Sequence, residues 1–364
     1  MASADGPRED DRAAAGVSEA QHRLSVEDDT SPAVAAPREG AAPPPQAAAF
    51  ARLDPRALVA QYAVPLTLLA AIVLFSVLRP ETFFTVDNFK TILVTQSVLI
   101  VLALGLTVPL AAGEFDLSVA ALVGFSAALT AHLTVVSGLA PGTALLVSFL
   151  VALAVGVANA VFIVYFGVNS FVTTLGTGTF ITGLATAIVG ATTIAGVPQS
   201  LTRPMREQLF GIDLPVYYAL ALALVLWFIF EHTPLGRYLF FTGEGREAAR
   251  LAGVPVNRIR FGALVVSSLV AWFAATILLG QTGAANTTFG APFLLPAFAA
   301  GFLGATTIKS GRYNVWGTVV AVLLLAVGTT GLQLLGAAGW VSDVFNGAAL
   351  VLAVTFARIV SREG

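Results

Sequence analysis

From residue 61 onward, apolar runs of about 20 residues alternate with short polar breaks, and that is the length a helix needs to cross the hydrocarbon core of a bilayer. Ten such runs lie near 61–78, 91–111, 117–136, 143–165, 170–190, 215–231, 261–282, 289–307, 315–335 and 340–357. They predict an all-α integral membrane protein of about ten transmembrane helices. The least apolar run is 170–190, SFVTTLGTGTFITGLATAIVG, where Gly and Thr dilute the hydropathy. Small residues let helices approach closely in a bilayer, so this dilution reads as burial against other helices.

The charges in the breaks test the count. With ten spans and the N-terminus inside, the inner loops and ends collect Arg52, Arg56, Arg237, Arg246, Arg250, Arg258, Arg260, Lys309, Arg312, Arg358 and Arg362, while Arg79, Lys90, Arg203 and Arg206 fall outside. Cytoplasmic loops carry the excess of Lys and Arg, so both termini and the loop 233–260 are predicted cytoplasmic. Removing the run 170–190 would move 233–260 and 308–314 outside and reverse the bias.

Composition supports the membrane setting: 57% of residues are hydrophobic and 11% charged, against about 25% charged in soluble domains. Residues 1–50 differ, with nine acids, four arginines and an Ala/Pro-rich character. They read as a disordered acidic cytoplasmic tail, either a passive extension or a recruiting segment, ahead of a membrane domain over 57–360. Cysteine is absent, and His22, His132 and His232 have no partners at ligand spacing, so no metal is expected. Paired carboxylates and HExxH are missing, which disfavours an intramembrane enzyme. Almost uncharged span interiors disfavour an ion-coupled secondary transporter. No G-x-x-x-x-G-K-[ST] loop occurs, so the chain itself is expected to hold no nucleotide cofactor. No nucleic-acid partner is expected.

Four polar segments carry candidate chemistry. The loop Thr233 to Arg260 holds five basic residues, and within it Glu244 to Ala252 reads as a short helix stopped by Gly253 and Pro255. A helix of about nine residues is marginal alone. Ala248, Ala249, Leu251 and Val254 give it a small apolar face and Arg246, Glu247 and Arg250 give it charge, suiting either lipid headgroups or a cytoplasmic subunit. In Gly113-Glu114-Phe115-Asp116-Leu117-Ser118, Asp116 suits the N-cap of a helix beginning at Leu117. In the segment from Asn169 to Thr177, the hydroxyls of Ser170, Thr173, Thr174 and Thr177 beside Phe171 recur at helical intervals, as packing contacts or as a polar pathway lining. In Phe293 to Gly317, Pro296 breaks an apolar span, either as a simple kink or at a substrate contact. The longest external stretch, 191–214, reads as a connecting loop or a docking surface for an extracytoplasmic partner.

These segments resemble the permease subunits of ATP-driven importers, and within that superfamily the ribose and simple-sugar branch. The loop at 246–254 is similar to the EAARLAGV-type loop that couples to the ATPase. Gly113 to Ala120 resembles G-G-x-D-L-S-V-G, departing at Glu114 and Ala120. Asn169 to Thr177 resembles P-S-F-I-x-T-L-G-T. Leu303, Gly304, Gly311, Arg312, Gly317 and Thr318 match a third pattern, in the family's order. The resemblance implies a pore subunit in the bacterial plasma membrane that imports a monosaccharide or polyol. It implies as partners an ABC ATPase subunit, an extracytoplasmic sugar-binding protein, a second permease copy and membrane lipid. The alternative cargo is a branched-chain amino acid.

Overall fold

The computed structural model describes residues 61–363, with side chains through 355. The acidic segment 1–50, Arg52, Arg56 and the side chains of Arg358 and Arg362 lie outside the described residues. The described chain is helical: α1 (Ala63–Leu78), α2 (Val86–Ala111), α3 (Ser118–Ala131), α4 (Pro141–Ala160), α5 (Ser170–Val189), α6 (Gln199–Arg206), α7 (Leu214–His232), α8 (Pro234–Glu244), α9 (Arg246–Leu251), α10 (Val256–Thr282), α11 (Leu294–Ala305), α12 (Val315–Leu334) and α13 (Trp340–Glu363). Extended π turns prolong α3 to Val136 and α4 to Tyr165.

Seven of these helices are long and apolar enough to cross a membrane by themselves. Three shorter apolar helices, Ala63–Leu78, Ala291–Ala305 and Trp340–Thr355, coincide with the remaining predicted runs. Local signals set the boundaries. Thr85, Asn169 and Asn314 cap α2, α5 and α12 by accepting the N–H of Asn88, Val172 and Gly317, which satisfies donors that helix starts leave free. Pro141 opens α4 at a position where no N–H is needed.

The core forms around α2, whose residues from Ser97 to Ala111 are all buried. It is flanked by α7, α10, α11 and α12, while α3 and α4 pack on α10. At one end, hydrogen bonds or ion pairs join Phe115 to Ser170, Glu114 to Arg246, Glu231 to Lys309 and Gln61 to Ile308. At the other, Arg206 donates to the Gln281 carbonyl, Asn286 to that of Ala191, and the strand Ile194–Ala195 pairs with Ala284–Ala285. This sorting into two ends is what an alternating set of spans requires.

Several details differ from expectation. The predicted helix Glu244 to Ala252 is two helices, because Thr233 and Pro234 start α8 upstream and Gly245 is extended between α8 and α9. Pro296 is the third residue of α11, not a break in mid-span. A first-turn position has no intrahelical N–H bond to lose, so Pro296 frees no backbone. The diluted helix α5 is not sunk among its neighbours: only 22% of its apolar window is buried within the chain. The segment 191–214 is more than a loop, containing α6 and a small hairpin of Gln208–Leu209 with Ile212–Asp213.

Candidate functional site

At the end that carries α8 and α9, the turn between α2 and α3, one of the four polar segments, meets the other three. Gly113 has φ +76°, a left-handed conformation that favours glycine. This turn lies directly against α8: a Cβ on Gly243 would come within 2.3 Å of the Ala111 carbonyl oxygen. Beside it, Glu114 is only 2% exposed. Its Oε1 accepts from Arg246 Nη2 at 2.7 Å and from Arg260 Nε at 2.5 Å. Arg246 also donates to the Gly113 carbonyl at 3.1 Å, and Arg260 to that of Ile163 at 3.4 Å. The two guanidinium groups offset the desolvation of one carboxylate, and breaking such a buried arrangement is costly.

Asp116 is fully buried. Its Oδ1 accepts from Ser118 N at 3.1 Å and Ser118 Oγ at 2.6 Å. α3 begins at Ser118 with Leu117 at the N-cap position, so Asp116 is not the cap expected of it; it accepts one backbone N–H, that of Ser118, while the N–H of Leu117 goes to Thr174. Ser118 Oγ accepts in turn from Asn159 Nδ2 at 2.9 Å, tying α3 to α4. Burial pushes the Asp116 carboxyl above its ordinary range, opposed by the Ser118 hydrogen bonds.

The hydroxyls of 170–177 divide. Ser170 Oγ accepts from Phe115 N at 3.2 Å and Thr174 Oγ1 from Leu117 N at 3.0 Å, so these two fasten α5 to the turn. Thr173 and Thr177 are half-buried. Phe115 is itself 39% exposed and meets Phe171, Phe298 and Phe302 at centroid distances of 6.3–6.5 Å. Pro296 opens the helix that carries the last two. The third motif is a close helix crossing: Gly317 faces the Gly304 carbonyl, and a Cβ there would lie 2.4 Å from that oxygen. Asn314 Nδ2 donates to the carbonyls of Gly304 and Thr307, both at 2.9 Å.

The charged loop also divides. Ala249 and Val254 face the chain's own interior, and Gly253 at φ +81° turns the backbone after α9. Leu251, 89% exposed, points outward with Ala248, Glu247 and Arg250. Glu247 and Arg250 pair on the surface at 2.9 Å. Sequence reasoning did not find the role of Glu114 or Arg260, or the aromatic group around Phe115. The available signal was a second acid, two residues before Asp116, at a position where the resembled pattern has glycine.

The model of the branched-chain amino acid transport system permease component matches residues 88–354. The chain belongs to this permease family. Among curated relatives, the permease is 34% identical over 260 residues to the autoinducer 2 import system permease protein LsrD of Photorhabdus luminescens, covering 70% of this chain and 78% of the relative. It is 31% identical over 303 residues to the protein of the same name from Photorhabdus laumondii, covering 81% and 90%. To that of Salmonella typhimurium it is 31% identical over 260 residues, covering 70% and 78%. No solved structure matches. The permease is thus an importer permease, a multi-pass protein of the bacterial inner membrane and a transport protein, not an enzyme. Membership implies an ATPase and a substrate-binding protein as partners.

Proposed function

We propose that the permease forms the pore of an ATP-driven importer for a monosaccharide or related polyol, with ten spans, both termini cytoplasmic, and ATP consumed by a separate subunit that docks on α9. The observation that carries this reading is the division of the charged loop. Arg246, Ala249 and Val254 anchor it to the chain, while Leu251 stands 89% exposed with Ala248, Glu247 and Arg250. A six-residue helix cannot persist on its own propensity, so it is held in place as a presented surface. The concentration of Lys and Arg at this end supports its cytoplasmic orientation.

The cargo reading rests on uncharged polar groups. Thr179, Thr182, Thr287 and Thr288 supply the polar groups of an otherwise apolar cavity of about 250 Å³, walled by Leu117, Leu175, Leu294 and three alanines, between α5, α3 and the start of α11. Hydroxyls suit a neutral polyhydroxylated molecule, whereas a charged cargo would call for ionisable groups there. A second permease copy across the exposed face of α5 would close this open cavity. The segment 191–214 at the opposite end would receive the binding protein. A second reading, favoured by the names of the relatives, is that the cargo is autoinducer 2.

The decisive experiment is uptake in vesicles containing the permease, its ATPase and its binding protein. Leu251→Asp is expected to abolish uptake while membrane insertion survives, since the side chain is exposed in the isolated chain and would bury a charge only on docking. Normal uptake by Leu251→Asp would remove α9 from the coupling role. Import of labelled leucine or valine instead of ribose would move the cargo to the amino-acid class, and import of autoinducer 2 alone would select the second reading.

A further inference from the structure

The buried acid of the α2–α3 turn touches both the docking segment and the start of a core helix. Glu114 Oε1 accepts from Arg246, the first residue of α9, and from Arg260 in α10. These two arginines are separated by a chain reversal at Gly253, so Glu114 bridges elements that the backbone alone would leave free to hinge. The next residue is Phe115, stacked against Phe298 of α11 and edge-on to Phe171 of α5. The backbone of the turn is held to α5 by Ser170 and Thr174.

From this geometry we propose that Glu114 is a positioning residue that transmits displacement of α9 to Phe115 and hence to α5 and α11. The inference rests on the ATPase docking at α9. The link is asymmetric in a useful way. The Arg246 side chain is 44% exposed and that of Arg260 only 11%. The inner ion pair is therefore a fixed anchor, and the outer one is the joint that a docked partner can load. Moving a buried carboxylate away from both guanidinium groups would leave charge unpaired in a low-dielectric interior. The turn and the start of α10, held together by the inner pair, are thus expected to follow α9 as one body.

The absence of native cysteine permits a direct readout. A single cysteine at Thr173, half-buried on α5 beside the turn, is labelled with a maleimide in the permease–ATPase complex, with and without ATP plus vanadate. In the parent protein the nucleotide is expected to change the labelling rate at least threefold. Glu114→Gln is expected to abolish that change while the ATPase still co-purifies. Arg246→Gln keeps the buried Glu114–Arg260 pair whole, so it tests the joint without orphaning a buried charge, and it too should abolish the change. The double variant should be no worse than either single one, as residues acting through one contact are not additive. A full nucleotide response in Glu114→Gln, or in Arg246→Gln, would reduce the pair to a structural contact and overturn the proposal. Failure of the unsubstituted permease to retain the ATPase would instead overturn the docking reading, and the joint with it.

Discussion

α2 and α5 are both uninterrupted apolar helices of membrane-spanning length, yet the protein uses them oppositely. In α2, 72% of the apolar window is buried within the chain; in α5 the figure is 22%. α5 is also the least apolar of the seven long spans. Its inward stripe, Ser170, Thr174, Gly178, Ile181, Ala185 and Val189, follows the three- and four-residue spacing of one helix face. The remaining surface alternates large apolar groups such as Phe180 and Leu184 with Thr179, Thr182 and Thr186. In water an exposed helix is the more polar one because solvent rewards it. Lipid gives no such reward; each of these hydroxyls donates to the carbonyl four residues back, of Leu175, Gly178 and Thr182, and keeps only its lone pairs free to accept from protein or cargo.

Deleting packing volume should separate the two helices most. Leu104 on α2 is fully buried, and Leu104→Ala is expected to cost about 2–5 kcal/mol by cavity formation. Leu184 on α5 is 38% exposed, and Leu184→Ala should cost less than about 1 kcal/mol. Urea denaturation in detergent, followed by circular dichroism, compares the two; equal losses would show that α5 is a core helix after all.

A smaller test adds one carbon. At Gly290 a Cβ would sit 1.9 Å from the Ala120 carbonyl oxygen, so Gly290→Ala should destabilise by about 1–3 kcal/mol. At Gly183 on α5 nothing lies within 4 Å, and Gly183→Ala should stabilise by up to about 1 kcal/mol through helix propensity. The same denaturation assay reads both signs.

Gly183→Trp sharpens the question of what covers α5. If a second copy packs there, self-association measured by cross-linking in native membranes should fall at least about tenfold, equivalent to about 1.4 kcal/mol, with the monomer intact. Unchanged association would leave this face to lipid. The smallest effect is expected from Thr182→Val, which removes one hydroxyl beside the cavity: uptake should fall about two- to tenfold, the range of one neutral hydrogen bond to cargo, while loss of its bond to the Gly178 carbonyl in the same helix should change stability by less than about 1 kcal/mol.

Hydrophobic periodicity and charge bias were enough to determine the helical class, the positions of the apolar helices and the gathering of the basic loops at one end, because those properties depend on local run length and on counting charges. The C-terminal limit of α9 was legible too, since Gly253 and Pro255 stop a helix by local backbone chemistry. Which face of each helix is buried was not legible in α5: apolar residues on a lipid-facing surface look like apolar residues in a core. The split of the charged loop into α8 and α9 had local signals in Thr233, Pro234 and Gly245, whereas the inward turn of Ala249 and Val254 and the meeting of Glu114 with Arg246 and Arg260 depend on contacts between positions far apart in the chain. Glu114 looked anomalous as a single residue, and only the tertiary structure supplied the two cations that make its burial tolerable.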